Sequence, residues 1–135
     1  MENFEKLYIA AVEAYKNSYS PYSHFAVGAA CLLKNGEIIS GCNVENSSYG
    51  LSICAERNTL FQVVAKGYKK EDIVEFIVLA NTAGPCSPCG ACRQVMSELM
   101  PPKTLVHLTN LNKVTKTVTV EELLPFAFSE NDLNV

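Results

Sequence analysis

Two short motifs in this chain carry residues suited to zinc chemistry: Cys54-Ala55-Glu56 and, well downstream, Pro88-Cys89-Gly90-Ala91-Cys92. Together they offer three thiolates, which are good zinc ligands, and one carboxylate that is not needed as a ligand. A structural zinc is usually closed by four protein ligands, whereas a catalytic zinc is held by three and keeps its fourth position open for water. The two motifs therefore predict a catalytic zinc site in which the glutamate acts on water.

The downstream motif leaves a choice of ligands, because Cys86-Ser87-Pro88-Cys89 and Cys89-Gly90-Ala91-Cys92 overlap. We select Cys89 and Cys92, since Cys92 begins the apolar stripe of a predicted helix and Cys89 lies just before its first turn. Cys86 falls outside that helix, on a Gly-Pro turn. A single buried cysteine is more often a small apolar core residue than a ligand, and we assign Cys31 and Cys42, within strands, to the core.

The charge of the predicted site also follows from its neighbours. All three cysteines lie near helix N-termini, whose partial positive charge lowers the pKa of a thiol. Three thiolates overcompensate a divalent ion, and Arg57 can offset the excess by donating hydrogen bonds to the ligand sulfurs. Glu56 could simply be a first-turn charge partner of its helix, but its apolar neighbourhood favours a proton shuttle. His24 and His107 lack ligand spacing, and we expect both to be structural.

The composition indicates one domain over residues 1–135 that acts on small molecules. Hydrophobic residues make up 48% of the chain, and 11 basic against 14 acidic residues give a net charge of −3 with no basic stripe, which argues against a nucleic-acid partner. Glu2, Glu5 and Lys6 interrupt any apolar start, so we expect no secretory signal, a cytoplasmic location and reduced cysteines. The longest apolar run, Ala26 to Leu33, is too short to span a membrane.

The apolar periodicity predicts an α/β fold that must position these motifs. A first amphipathic helix precedes a hairpin, since Asn35-Gly36 separates two apolar runs. A second helix, apolar nearly all round and therefore expected to be buried, starts at Cys54 and ends before Gly67. The expected helices are 4–15, 54–66 and 92–100, and the expected strands are 26–33, 38–44, 76–80, 104–109 and 115–120.

The third and fourth predicted strands flank a helix, so they should be parallel and joined by a right-handed crossover. The fifth strand follows too closely for another crossover helix, and we expect it to return antiparallel. Ligands of open α/β sheets bind beyond the carboxyl ends of the strands. The loop that carries Cys89 after the third strand is therefore expected to form the active edge.

Several segments of the chain resemble the cytidine deaminase family, in particular its small homotetrameric branch in which cysteines alone hold the zinc. The resemblance spans nearly the whole chain. It implies a three-layer α/β/α sandwich with a five-stranded mixed sheet whose fourth and fifth strands are antiparallel. The segments that carry it are 19–25, 27–29, 43–46, 54–57, 88–94 and 123–125.

The resemblance also implies an activity and a cofactor. The activity is zinc-dependent hydrolytic deamination of cytidine and 2′-deoxycytidine to uridine and 2′-deoxyuridine, with release of ammonia, as in pyrimidine salvage. One zinc ion per chain is expected on Cys54, Cys89 and Cys92. Glu56 is expected to deprotonate the zinc-bound water, protonate the ring nitrogen and help ammonia leave. Ala55, beside this glutamate, is assigned to the substrate site.

Further substrate contacts follow from the same resemblance. Asn43 and Glu45 match positions that hold the ribose hydroxyls, and a hydrogen-bonded turn is the less favoured explanation of both. Phe25 matches the aromatic residue that packs on the pyrimidine, where a core role is the simpler explanation. Tyr49 and Phe128 match positions that reach an active site from a neighbouring subunit. The expected partners are a pyrimidine nucleoside and further copies of the chain in a homotetramer.

Three other functions stay open from the sequence. Deamination of a modified cytosine nucleoside such as blasticidin S would use the same zinc motifs, although the segment 123–128 favours the cytidine branch. A noncatalytic structural zinc module would take Cys86 as its fourth ligand and would leave Glu56 without a task. Cys86 is also a departure from the family pattern, where an apolar residue would be unremarkable. A thiol redox protein would form disulfides from the two Cys-x-x-Cys pairs.

Overall fold

A computed structural model describes residues 2–133 of the chain. The predicted helices and strands are all present, with ends shifted by at most three residues. The helices are α1 (Glu2–Lys16), α2 (Ala55–Ala65), α3 (Gly90–Leu99) and the short α4 (Val120–Leu123), which was not predicted. The strands are β1 (Val27–Leu33), β2 (Ile38–Cys42), β3 (Ile73–Ala80), β4 (Leu105–Asn110) and β5 (Lys116–Thr119). Within the described residues, no helix combines the length and apolarity needed to cross a bilayer.

The five strands form one sheet in the order β2-β1-β3-β4-β5. β1 pairs antiparallel with both β2 and β3, whereas β3 pairs in parallel with β4 through the connecting helix α3. β5 returns antiparallel to β4. The connection between β4 and β5 covers only residues 111–115, which is too short for the crossover that a parallel pair requires. The predicted mixed sheet and the antiparallel fifth strand are confirmed.

Both faces of the central strands are covered by helices. Along β1, Ala30 and Leu32 pack in the apolar cluster that includes α1, while Cys31 and Leu33 pack in the cluster on the opposite face. β3 alternates in the same way, as expected for a strand with two buried faces. The opposite face is covered by α2 and α3. This is the predicted three-layer α/β/α arrangement, and it places the starts of α2 and α3 in one layer.

The expectation that the second helix is buried all round is wrong for its outer face. Leu60 and Val63 of α2 lie in the core, but Phe61 is 46% exposed and Val64 is 53% exposed. An apolar residue pattern indicates that a surface needs covering, and it does not say whether the cover comes from the same chain. The outer face of α2 is therefore an apolar surface of this chain.

β1 and α1 approach each other closely at Gly28. A Cβ atom at this position would lie 2.1 Å from the carbonyl oxygen of Ala11 and 2.8 Å from the backbone nitrogen of Tyr15. Both atoms belong to the helix backbone, which cannot move without lifting α1 from the sheet. Gly28 is therefore required by packing, since glycine alone has no Cβ atom.

Gly28→Ala is expected to destabilise the fold by about 3 kcal/mol or more and to lower the melting temperature by roughly 10 °C, because the added methyl group overpacks the α1–β1 contact. Gly84→Ala is the matched control, since a Cβ atom there meets nothing within 4 Å. Thermal unfolding followed by circular dichroism measures both effects. Equal melting temperatures for the two variants would contradict the close contact.

Candidate active site

The sulfur atoms of Cys54, Cys89 and Cys92 lie within 4.8 Å of one another. Cys54 is the N-cap of α2, Cys89 is the N-cap of α3, and Cys92 lies in the first turn of α3. The Sγ atoms of Cys54 and Cys89 are 3.8 Å apart. Tetrahedral coordination with zinc–sulfur bonds of about 2.3 Å also places two ligand sulfurs about 3.8 Å apart. The Cys54–Cys89 pair therefore fits a zinc ion in spacing, and the three thiols fit it in donor chemistry.

Cys86 and the two histidines lie outside this cluster. Cys86 is buried in the core beside α2 and α3, and burial raises the pKa of its thiol to about 11. The His107 ring lies on the α1 face of the sheet, with Nε2 2.7 Å from Glu75 and Nδ1 2.8 Å from Thr117. His24 is exposed in the loop before β1. The structure thus brings together the three cysteines selected from the sequence and none of these alternatives.

Arg57 brings positive charge to the cluster. Its Nη2 atom donates a hydrogen bond to the Cys54 sulfur at 3.4 Å. Hydrogen bonds from the Cys92 thiol and then from Arg57 lower the pKa of Cys54 to about 5, which favours the thiolate that zinc requires. The Nε atom of Arg57 is buried without a hydrogen-bond partner among residues 2–133. This N–H group is therefore free to donate to a second thiolate, as expected of a residue that compensates thiolate charge.

Glu56 lies in the first turn of α2 and is only 4% exposed. Burial raises the pKa of its carboxyl group to about 7, and the negative charge of Cys54 adds to the rise. A general acid–base group is most effective when its pKa lies near the working pH. A carboxylate that only neutralised the helix N-terminus would remain solvated, so the burial of Glu56 favours a role in chemistry.

A short bridge holds Asn43 and Glu45 next to the start of α2, where the cysteine cluster lies. The backbone of Val44 exchanges two hydrogen bonds of 3.0 Å with Ile53, the residue before Cys54. β2 ends two residues earlier than predicted, and its last predicted residue forms this isolated bridge instead. The turn after β2 and the start of α2 are therefore neighbours in space.

The Asn43 side chain is buried and nearly saturated with hydrogen bonds. Its Oδ1 atom accepts from the Ser18 hydroxyl at 2.5 Å and from the Val27 backbone nitrogen at 2.9 Å. Its Nδ2 atom donates to the Phe25 carbonyl oxygen at 2.8 Å. An amide nitrogen carries two donors, so one N–H of Asn43 has no acceptor among residues 2–133.

Glu45 lines a cavity of about 310 Å³ together with Tyr22, Ser23, Tyr49 and Ser52. The ring centroids of Tyr22 and Tyr49 are 5.9 Å apart at its edge. The lining of this cavity includes neither the three cysteines nor the catalytic glutamate candidate. The cavity of a single chain thus covers one part of the predicted substrate site.

Three aromatic side chains assigned to the substrate site lie at the surface of the chain. Phe25 is 45% exposed, Tyr49 is 74% exposed and Phe128 is 56% exposed. Ala55, in contrast, is fully buried at the start of α2. Phe25 is therefore not the core aromatic that was its simpler explanation. Exposed aromatic surface of this extent suits contact with a ligand or with another protein chain.

Sequence reasoning missed two polar residues that organise this region. Arg93 donates from Nε to the Pro88 carbonyl oxygen and from Nη1 to the Leu123 carbonyl oxygen, both at 2.9 Å. Gln94 donates from Nε2 to the carbonyl oxygen of Phe128 at 3.0 Å. They tie the loop before α3 to the C-terminal segment. The Arg-Gln pair after the second zinc motif was visible in the sequence, but the distant carbonyl groups that it reaches were not.

Known proteins match this chain in sequence. A sequence model of the cytidine and deoxycytidylate deaminase zinc-binding region matches residues 1–108. A cytidine deaminase of Halalkalibacterium halodurans is 51% identical over 124 residues, which cover 92% of this chain and 92% of that protein. A cytidine deaminase of Sporosarcina psychrophila is 46% identical over 130 residues, which cover 96% of this chain and 94% of that protein.

Solved structures of cytidine deaminases also match the fold of this chain. The crystal structure of a cytidine deaminase from Burkholderia pseudomallei superposes with a TM-score of 0.89 at 47% identity, covering 92% of this chain and 98% of that one. The matched region includes both cysteine motifs and the sheet edge at which they meet. Because sequence, fold and three-thiol cluster agree, this chain belongs to the zinc-binding cytidine and deoxycytidylate deaminase family.

Proposed function

We propose that this enzyme hydrolyses the C4–amino bond of cytidine and 2′-deoxycytidine, giving uridine or 2′-deoxyuridine and ammonia, as a step of pyrimidine salvage. The observation that carries the proposal is the buried Glu56 carboxyl group, next in sequence to one of three cysteine sulfurs that lie within 4.8 Å of one another. A noncatalytic zinc module would not place a buried carboxyl group there. We assign Cys54, Cys89 and Cys92 as the ligands and Arg57 as the residue that offsets their charge.

Zinc, when held by these thiolates, supplies Lewis-acid activation of water. Glu56 is proposed to transfer the protons. Its carboxylate accepts a proton from the attacking water and passes it to N3 of the pyrimidine, so that C4 becomes tetrahedral. It carries the second water proton to the exocyclic amino group, which leaves as ammonia. One water is consumed and one ammonia is released, and the glutamate returns to its ionised form.

Recognition of the sugar is proposed for Asn43 and Glu45. The one N–H of Asn43 that has no acceptor within residues 2–133 suits a hydroxyl oxygen, and the Glu45 carboxylate suits a hydroxyl proton. Phe25 is proposed to pack on the pyrimidine ring, and Ala55 to contact the substrate at the buried start of α2. A free nucleoside, which is uncharged at the sugar, fits a site whose sugar contact carries a negative charge.

Self-association into a homotetramer is proposed as well. The outer face of α2 exposes Phe61 and Val64, and a second copy of the chain would cover such a surface. Tyr49 and Phe128 are exposed and are proposed to reach the active site of a neighbouring subunit, which would complete a site that one chain leaves open. The single domain over 1–135 and the cytoplasmic location stay predictions.

The substrate assignment is tested by comparing turnover of cytidine, 2′-deoxycytidine and blasticidin S. The first two are expected to be turned over at comparable kcat, because the reacting ring is the same and only one sugar hydroxyl differs. Three quantities are measured on the same sample: the loss of absorbance on conversion to uridine or 2′-deoxyuridine, the release of ammonia, and the zinc content. Turnover of blasticidin S alone would replace the proposal with deamination of a modified nucleoside. No turnover by zinc-loaded protein would refute both.

A further inference from the structure

The loop over residues 20–25, which we call the 20–25 loop, connects α1 to β1 and folds onto Glu45. The loop is exposed, and His24 within it adopts a left-handed backbone conformation with φ of 57°. A non-glycine residue reaches this region at some energetic cost, so the surrounding contacts must hold it there. Those contacts converge on the Glu45 carboxylate and on the Ser23 hydroxyl.

Three donors from the 20–25 loop reach the Glu45 carboxylate. The backbone nitrogens of Tyr22 and Ser23 donate to Oε1 at 3.0 and 3.1 Å, and the Ser23 hydroxyl donates to Oε2. A carboxylate has about four acceptor positions, so one position, on Oε2, remains for a ligand. Oε2 is also the oxygen that the Ser23 hydroxyl holds.

The direction of the Ser23 hydrogen bond is set by its second partner. The backbone nitrogen of Phe25 donates to Ser23 Oγ at 3.0 Å, so the hydroxyl acts as acceptor towards Phe25. Its only proton is then directed to Glu45. One hydroxyl thus links the backbone of Phe25 to the carboxylate of Glu45, which are the residues proposed to contact the base and the sugar.

We infer that Ser23 is a positioning residue for substrate binding: its hydroxyl fixes the Glu45 carboxylate so that the remaining Oε2 acceptor position meets a sugar hydroxyl of the nucleoside. The inference rests on the proposed function and extends it to a residue that contacts Glu45 rather than the substrate. Both residues line the cavity of about 310 Å³ beside Tyr49. A flexible, half-exposed glutamate without this bond would lose rotamer freedom only when the substrate binds.

The ionisation of Glu45 agrees with this role. The Ser23 hydroxyl, followed by the backbone N–H groups of Ser23 and Tyr22 and the charge of His24, holds the pKa of the Glu45 carboxyl below its usual range. A group with a lowered pKa stays ionised to lower pH and continues to accept a hydrogen bond there. Loss of the hydroxyl should raise this pKa.

The test compares wild type, Ser23→Ala and Ser23→Thr on cytidine and on 2′,3′-dideoxycytidine, which lacks both ring hydroxyls of the sugar. Ser23→Ala is expected to raise the KM for cytidine about tenfold with little change in kcat, since a hydrogen bond to a charged group is lost. For the dideoxynucleoside, kcat/KM of Ser23→Ala should fall no more than about twofold below that of wild type, because the sugar hydroxyl that Glu45 is proposed to bind is already missing. Ser23→Thr keeps a hydroxyl and should restore binding of cytidine.

Control variants separate an effect on substrate binding from an effect on folding. Ser97→Ala is the matched control, because the Ser97 hydroxyl donates only to the carbonyl oxygen of Gln94 within its own helix. Ser23→Gly removes the same hydroxyl and is assayed beside the alanine variant. Zinc content and melting temperature are measured for each protein. A second readout is the pH dependence of KM, whose rise at low pH should begin at a higher pH in Ser23→Ala.

Equal losses of kcat/KM on cytidine and on the dideoxynucleoside would overturn the inference, because they would show that Ser23 only maintains the conformation of the 20–25 loop. An unchanged KM for cytidine, or an unshifted pH dependence, would overturn it too. Failure of the proposed function is a separate result, since it would show as wild-type protein without turnover of cytidine. We expect Ser23→Ala to lower kcat/KM for cytidine selectively, and Ser23→Thr to restore it.

Discussion

Glu56→Gln should retain about one zinc ion per chain and lose roughly 10⁴-fold in kcat. The amide keeps the shape of the carboxyl group, and the residue is not one of the three clustered cysteines. Glutamine cannot accept the proton of water or deliver it to the pyrimidine ring, so every proton transfer assigned to Glu56 would be lost. Single-turnover and steady-state assays with cytidine, together with metal analysis of the same sample, measure the two quantities.

The matched control for this variant is Glu98→Gln, which makes the same change at an exposed position of α3. It should keep wild-type kcat and zinc content. Wild-type turnover by Glu56→Gln would end the proposed role of this residue. A loss of zinc in Glu56→Gln would show instead that the carboxyl group supports the metal cluster, and the kinetic effect would then need a different explanation.

Cys89→Ser should lose stoichiometric zinc and, with it, all measurable turnover. Three ligands are the minimum for a catalytic zinc, and a neutral hydroxyl is a much poorer donor than a thiolate. The sulfurs of Cys54 and Cys89 are already 3.8 Å apart, as in a tetrahedral zinc site, so a small movement should not compensate for the loss of one of them. Metal analysis after dialysis against a weak chelator measures retention.

Cys86→Ser is the matched comparison for Cys89→Ser, because Cys86 lies in the same loop as Cys89 and belongs to the other Cys-x-x-Cys pair. Zinc content should stay at about one ion per chain. A modest loss of stability is expected, since the hydroxyl would be buried in an apolar cluster. Loss of zinc from Cys86→Ser would support a closed structural site with four cysteine ligands and would contradict the catalytic assignment.

The cysteine cluster was predictable because each ligand is placed by local structure. Cys54 and Cys89 are N-caps, and Cys92 lies in the first turn of α3. Helix starts can be located from short-range signals, such as Pro88 before α3 and the apolar period that follows it. The parallel pair β3–β4 then brings the loop with Cys89 to a defined edge of the sheet. The choice of Cys92 over Cys86 needed only the phase of one helix.

The support of the substrate site was not predictable in this way. Ser23 and Glu45 are 22 residues apart in the chain, and a serine in a loop has many alternative partners. The bridge between Val44 and Ile53 joins a strand end to a helix start, and no periodic pattern marks such a contact. The reach of Arg93 to the carbonyl group of Leu123 is likewise set by the fold.

The sequence by itself determined which residues can do the chemistry and on which elements they lie. Thiol and carboxylate types at helix starts are local properties, and hydrophobic period and turn residues locate those starts. Only the tertiary structure decided how far apart the sulfurs are, that Glu56 is buried, that Asn43 bonds the backbone of Phe25 and Val27, and that the outer face of α2 is exposed. These depend on packing and hydrogen bonding between segments distant in sequence, which residue order alone does not specify.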